Sequence, residues 1–543
     1  MRSAAVLEAL EELIVRLELR EPQSFRIQAY KKLWDTLSRL PETAWASAEA
    51  LIRALHGQPG IGEGLLNTAV GLYENSTVPL LEELRAEVPD SLLELRRLPG
   101  LGPKRIHQLW KEARITSIDA LDQAIARGKL QNLAGWGPAL LKKVEESIQF
   151  YRSTAHQWLL QEAQALWIEA VHALRERGIM VVPLGALRRA WPLLSHIEGA
   201  LPASQKDHAR EAGWQLIEST RLKHSDFPIE LHLIPDKHWV ETLALEGFSE
   251  ENRQKLQRLF SQVKEIPATE EALFFRAGLP YILPAWRDWP DIVDLALAGK
   301  LPEPLTEAHV RGSVHVHTTY SDGRDSLEAM ATTAQQMGWK WLGIADHSER
   351  AAYAGGLSPE RLAQQGEEIA RLNASYKGTF LLLRGIEADI LPDGRVDYEE
   401  AIWRRLDFIV ASVHEKLRMS REEATQRLLT ALGNPYVRVL GHWTGRLLRA
   451  RPGYPIEEER ILKVCAERGI AIEFNANPYR MEIDWRWVRR AAELGVRVIL
   501  TTDAHSVQEL SYWKNGLAVL QKGLLPPDLL LNAAAFPPFP LNS

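Results

Sequence analysis

The stretch VRGSVHVHTTYSDG, residues 310–323, decides how the C-terminal half is read. His315 and His317 stand two apart in a short apolar run, so a strand here sends both side chains from one face. Asp322 follows in a polar loop, and DSLEAMATTAQQMG then carries helical spacing. Similar units recur down the chain. WLGIADH ends on His347, FLLLRGIEADI carries Glu387, FIVASVH ends on His414, RVLGHW carries His442, and RVILTTDAH ends on Asp503 and His505. With AIEFNAN, which carries Asn475, seven strand-like runs alternate with helical stretches. That alternation predicts a parallel sheet or a closed or nearly closed (β/α) barrel.

In such barrels chemistry is built where the C-terminal strand ends converge. Six histidines, two aspartates and one glutamate gathered there would repel or shift one another's protonation. Divalent cations relieve that cost by taking lone pairs from all of them. A lone HxH is more often a half-buried polar pair, and Asp346 in IADHSE reads equally as a helix cap. Nine donors at equivalent strand ends read as a metal centre. Lys416, Arg446 and Arg480 are candidates to bind a phosphate beside it, with solvated surface charge as the bland alternative. Asn475 is a candidate to orient substrate or the metal ligands. Trp443 offers a stacking surface, although burial is the commoner fate of tryptophan.

Across the 543 residues, 45% are hydrophobic and 25% charged, a globular balance. No apolar run approaches the roughly 20 residues of a membrane helix. The opening MRSAAVLEALEELIVRL is an acidic amphipathic pattern, unlike a signal peptide. The single cysteine, Cys465, lies at helical spacing as a buried small hydrophobe and fits a cytoplasmic setting. A net charge of −6 means that any grip on nucleic acid must be local.

That grip is expected in the helical residues 1–150. HGQPGIGEGLLNTAV (56–70), RLPGLGPKRIHQLW (97–110) and NLAGWGPALLKKV (132–144) each place a G-apolar-G turn before an amphipathic helix. Gly60 and Gly62, Gly100 and Gly102, and Gly135 and Gly137 let backbone N–H groups approach a phosphate at a helix start. Lys104, Arg105, Lys142 and Lys143 stand close enough in sequence to assist. Such elements hold the DNA backbone without reading sequence. Residues 151–300 are mixed helix and strand, and KLPEPLTEAH suggests a linker over 301–310.

On the residues quoted, the stretch 311–510 resembles the PHP domain, a phosphoesterase superfamily. The resemblance implies a distorted (β/α)7 barrel over 311–543 holding up to three ions, Mn2+, Zn2+ or Fe. It implies one ion on His315, His317, Glu387 and Asp503. Glu387 would bridge to a second ion with His414 and His442, and a third would sit on Asp322, His347 and His505. Over nearly the whole chain, SFRIQAYKK, LPGLGPKR, AGLPYILPAWRD and NPYVRVLGHWTGRLL resemble bacterial and archaeal family X DNA polymerases. The implied fold is multidomain and mainly α below residue 150. It comprises a helical lyase-like domain over 1–80 and a fingers-like domain over 81–150 with two hairpin elements. An α+β palm and thumb would then occupy 151–300.

The chain departs from that family at two places. Where the family's palm carries G-S-x-x-R-R and an Asp-x-Asp pair, this sequence has Ala186, His196 and Glu198, and the third carboxylate position is Glu230. Glu246, Gly247 and Phe248 replace Thr-Gly-Ser. Near-octahedral Mg2+ tolerates such displaced donors poorly, so the polymerase site reads as vestigial. The helix after the first hairpin contains no lysine, Thr68 standing at the family's Schiff-base position. The reading is a phosphoesterase acting on gapped or 3′-ended DNA: a 3′–5′ exonuclease or 3′-end processing enzyme of DNA repair. The alternatives are an active gap-filling polymerase, a histidinol-phosphate-type phosphatase and a DNA-binding scaffold with structural metals.

Overall fold

The computed structural model describes residues 2–38, 40, 42–96, 98, 100–131, 133–533, 538 and 539. The chain forms two compact units, Met1–Ala155 with Arg449–Arg451, and His156–Leu448 with Pro452–Ser543. Among the described residues no helix is long and apolar enough to cross a membrane.

The described secondary structure of residues 1–155 is helical. Amphipathic helices such as Arg2–Arg20 and Arg26–Ser38 bury Leu10, Leu13, Leu17, Leu33 and Leu37 in a core of their own. The three hairpin turns share one backbone solution. Gly60, Gly100 and Gly135 take the left-handed region, with φ of 80, 97 and 82°, which glycine adopts without steric cost. Gly62, Gly102 and Gly137 then cap the helices Glu63–Asn75, Pro103–Lys111 and Pro138–Thr154 in extended conformation, with no side-chain cap. Positions 97, 99 and 132 of the quoted stretches lie outside the described residues.

The second unit opens on a mixed five-stranded sheet. Its order is Val182–Pro183, Ile197–Pro202, Ile229–Ile234, Arg221–His224 and Trp214–Glu218. Ile197–Pro202 and Ile229–Ile234 pair in parallel, with Glu198 opposite Glu230. The expected linker is packed down, because Leu305 and Val310 are buried in the main core of the unit.

The barrel follows. Gly312–Val316, Trp341–Ile344, Leu381–Asp389, Phe408–Ser412, Val437–Leu440, Ala471–Asn475 and Val498–Thr501 lie in consecutive order, each parallel to the next. These are the seven runs the sequence predicts. They are buried almost throughout, as parallel strands covered on both faces must be. The first and last strands are not laddered but are tied by single bonds. Ser313 Oγ–H donates to the Leu500 carbonyl at 2.9 Å, and the His317 N–H donates to the Ala504 carbonyl at 2.9 Å. Asn532 bridges them, donating to the Gly312 carbonyl and accepting from the Leu500 N–H, both at 2.7 Å. The barrel is therefore nearly closed. Alternate strand residues, among them Val314, Trp341, Leu383, Phe408, Val439 and Ile499, form a separate small core. Phe408 requires one glycine and shares in another: a Cβ at Gly385 would overlap its ring, and one at Gly343 would lie 2.6 Å from Val314 Cγ1 and 2.7 Å from the ring.

Candidate metal centre

The strand ends carry the donors. Simple alternation puts His315 and His317 on one face of a strand, but the backbone does otherwise. The strand ends at Val316, its register shifts between Ser313 and Val316, and His315 takes a φ of 61°. A bulge re-aims His315, and His317 lies beyond the strand. The rings still converge, with centroids 5.3 Å apart. Asp503, just past the seventh strand, is also left-handed at a φ of 51°. Non-glycine residues held so cluster at functional sites.

Glu387 lies at the centre, 1% exposed. One of its oxygens is 2.9 Å from His442 Nε2, 3.1 Å from His414 Nε2 and 3.2 Å from His315 Nε2. The other is 2.9 Å from His347 Nδ1 and 3.7 Å from His317 Nε2. Asp503 Oδ1 is 3.2 Å from His317 Nε2, and Asp322 lies 3.4 Å from His505 and 3.6 Å from His347. All nine predicted donors thus enter four overlapping groups whose ligand atoms lie within 4.8 Å of one another. These are His317–Asp322–His347–His505, His315–His317–Asp503, His315–Glu387–His442 and His347–Glu387–His414. The grouping differs in detail from the one the family resemblance implies. His347 joins Glu387 and His414, while His442 joins His315 and Glu387.

The electrostatics follow from this crowding. Burial holds the His317 imidazole down to about 3, helped by His505 and His347. Burial opposes charge on His505 and His414 as well, but Asp322 lifts the first to about 9, and Glu387 with Asp389 lifts the second to about 10. Glu387 and Asp503 stay well below the carboxylate range despite burial, because imidazoles surround them. Asp322, burial notwithstanding, falls to about 2 beside His505 and His317. The residues fit metal ions. His315 Nε2, both ring nitrogens of His317, His347 Nδ1, His442 Nδ1 and Glu387 Oε1 are buried without a hydrogen-bond partner, a costly state for polar atoms unless they serve as ligands.

Two carboxylates that sequence reading passed over stand behind the histidines. His315 Nδ1 is hydrogen-bonded to Glu473, and His414 Nδ1 to Asp389. An ionised carboxylate only accepts, so each Nδ1 is the donor and each Nε2 is the nitrogen left facing inward, where a bound cation would displace any proton it carries. Glu473 also accepts from Thr501 Oγ1 at 2.6 Å. The available signal was period two: Glu387 and Asp389, and Glu473 and Asn475, share strand faces. Asp346 is not a helix cap. Fully buried, it accepts from Thr318, Ser321 and Gln365 and so fixes the loop that carries Asp322.

The other predicted residues fare differently. Asn475 is buried and donates to Asp503 at 3.2 Å, so it braces one of the candidate donors. Arg446 is committed elsewhere: it donates to the Arg480 carbonyl at 3.0 Å, to Asp484 at 3.2 Å and to the Met481 carbonyl. That corrects its expected place as a phosphate ligand. Arg480 Nε donates to Asp503 at 3.1 Å, while its Nη1 is buried without a partner. Lys416 is exposed, and Trp443 is buried at 3% exposure, so it offers no stacking face. In the palm, Ala186 and Glu198 are half-buried, His196 is exposed, and Glu230 pairs with Arg221 at 2.9 Å. Among the described residues these positions enter no metal-competent group. At the hairpins, a Cβ at Gly62, Gly102, Gly135 or Gly137 would meet open space, whereas Lys143 packs beside Gly100 and Lys32, unforeseen from sequence, packs across Gly60. Lys104 and Arg105 occupy the first turn of Pro103–Lys111, where Arg105 donates to the Gly100 carbonyl at 2.9 Å.

A nearly closed barrel of seven parallel strands with this ring of donors defines the C-terminal part as a PHP domain. The PHP family model matches residues 313–477, with Asp503 and His505 beyond it. Over the whole length, the chain is 27% identical to the DNA polymerase/3′-5′ exonuclease PolX of Bacillus subtilis (strain 168), covering 98% of each protein. It thus resembles a family X DNA polymerase with a C-terminal PHP domain. A protein of Caldanaerobacter subterraneus subsp. tengcongensis named "Probable phosphatase" is 29% identical over 42% of this chain and 86% of its own. Another so named, from a Thermoanaerobacter species (strain X514), is 26% identical over 42% and 89%.

Proposed function

We propose that this chain is a metal-dependent phosphoesterase that acts on DNA. It shortens 3′ ends as a 3′–5′ exonuclease or 3′-end processing enzyme of DNA repair, in the cytoplasm. The observation that carries the reading is the convergence of nine donors in four overlapping groups, with ring nitrogens of His315, His317, His347 and His442 and one Glu387 oxygen buried without a hydrogen-bond partner. Imidazoles mixed with carboxylates suit Mn2+, Zn2+ or Fe better than Ca2+ or Mg2+. Divalent cations so held supply Lewis acidity toward a phosphoryl oxygen and an attacking water.

The chain's own groups do the rest. Glu387 touches five imidazoles and so is the side chain that would span adjacent ions. Glu473 and Asp389 keep two imidazoles in the tautomer that presents Nε2 inward. The unpartnered Arg480 Nη1 is the donor for a phosphate oxygen as charge builds on it. The open faces of Gly62, Gly102, Gly135 and Gly137 suit a sequence-independent hold on the backbone of gapped or 3′-ended DNA. The relative from B. subtilis is named for two activities, polymerase and exonuclease. Here the donor set for the second is complete, whereas the palm offers His196, Glu198 and an Arg221-paired Glu230, which supports loss of the first.

Incubation of the protein with Mn2+ and a 5′-labelled, 3′-recessed duplex, with and without dNTPs, tests this. Shortening is expected, lost in His317→Ala while DNA binding persists. Extension dependent on dNTPs would contradict the inactive palm, and shortening retained in His317→Ala would discard the metal assignment. Turnover of histidinol phosphate above that of DNA would favour a small-molecule phosphatase.

A further inference from the structure

The mouth of the metal centre carries a projecting aromatic ring that the proposed hydrolysis does not use. Tyr353 is 73% exposed, and its ring centroid lies 6.3 Å from that of His347. Single exposed rings are ordinary on protein surfaces. Two features set this one apart.

The first is that its loop is fixed. Residues 351–356 read AAYAGG, all small except the tyrosine. Ala351 and Ala354 are buried at 0% and 5% exposure, and the Ala354 N–H donates to the Ala351 carbonyl at 2.9 Å. The Leu357 N–H donates to the carbonyl of His347 at 2.9 Å, so the loop closes on a residue of the donor cluster. Gly355 turns the chain at a φ of 67°, and a Cβ at Gly356 would overlap the backbone of Ser348. The turn is built to hold up one large ring, not to bury it. The second feature is position. The loop that closes on the His347 carbonyl sets the ring beside the His347 imidazole, so an aromatic face stands next to the donor cluster. A phenol is uncharged near neutral pH and so does not repel a phosphoester.

A fixed neutral aromatic face beside a phosphoester site suits a nucleobase, since every base has a π-face and stacking tolerates any sequence. We infer that Tyr353 is a specificity-determining residue on which the base of the 3′-terminal nucleotide stacks, so that the site selects base-bearing ends over small phosphate esters. This rests on the proposed 3′-end hydrolysis.

The test compares full-length wild type, Tyr353→Ala and Tyr353→Phe, loaded with Mn2+, on two 5′-labelled single-stranded oligonucleotides. One ends in a normal 3′ nucleotide and the other in a tetrahydrofuran abasic residue. Stacking is worth enough that KM for the normal end should rise about tenfold in Tyr353→Ala with kcat kept, while Tyr353→Phe matches wild type. KM for the abasic end should be the same in all three. An unchanged KM on the normal end, or an equal loss on both ends, overturns the stacking assignment. Absence of any shortening by wild type instead overturns the underlying hydrolytic reading, and the inference with it.

Discussion

Asp389 shows how one residue outside the ligand set governs the centre. By holding His414 Nδ1 it fixes the ring so that Nε2 faces Glu387 at 3.1 Å. Losing such a partner typically costs about 10–100-fold in metal affinity. Calorimetric titration of Mn2+ into Asp389→Asn should show that loss with the fold unchanged by circular dichroism. Affinity equal to wild type would make the hydrogen bond incidental. Cys465 makes the opposite case, a titratable residue with no chemistry. Burial pushes its thiol up to about 12 from an ordinary 9. The folded state then holds a proton that the unfolded state gives up, so the stabilisation is complete below about pH 9 and is lost as pH rises toward 12. Thiol reagents should label Cys465 only after denaturation, and Cys465→Ala should remove its share of the stability lost above pH 9. Rapid labelling of the native protein would contradict its burial. At this scale the sequence shows the nine donors, because eight lie at or near the ends of strand-like runs and Asp322 lies in the loop after the first. It hides Glu473, which reads as one polar residue inside an apolar strand. It hides the bulge at His315, since local patterning does not show a register shift. It also gives no means of seeing that carbonyls 480 and 481 occupy the Arg446 guanidinium.

At the scale of elements, the barrel strands were legible because a doubly covered parallel strand must be apolar along its length, and the glycine turns because their left-handed backbone calls for glycine. The interior fit was not. Phe408 requires bare backbone at Gly385 and, together with Val314, at Gly343, a contact across four strands that no local pattern encodes. Gly385→Ala should therefore destabilise the protein by about 1–3 kcal/mol through overpacking, measured as a lowered denaturation midpoint. Pairing it with Phe408→Leu should cost less than the sum of the two single changes, since the smaller side chain leaves room. Strict additivity would mean the ring and the glycine do not meet. The segment 301–310 taught a related lesson. Its prolines read as a linker, yet Leu305 and Val310 pack into the core, because proline stops regular structure without preventing burial.

At the scale of the whole molecule, the proposed reading divides hydrolysis and DNA binding between two parts, and each unit of the structure has its own core. Residues 156–543 produced alone should hydrolyse a small phosphodiester in Mn2+ at the rate of the full chain but bind DNA far more weakly. Equal DNA affinity would remove the hairpin glycines from the account. The central claim is that nine side chains from the seven-stranded barrel form one shared cation centre around Glu387. The most direct measurement is the Mn2+ content of the full-length protein by elemental analysis, after loading and removal of free metal, in wild type and in Glu387→Ala. The account predicts two or more ions per chain in wild type and a clear loss in the variant, since Glu387 enters two of the four donor groups. Wild type that retains no metal, or a variant that retains as much, would contradict it.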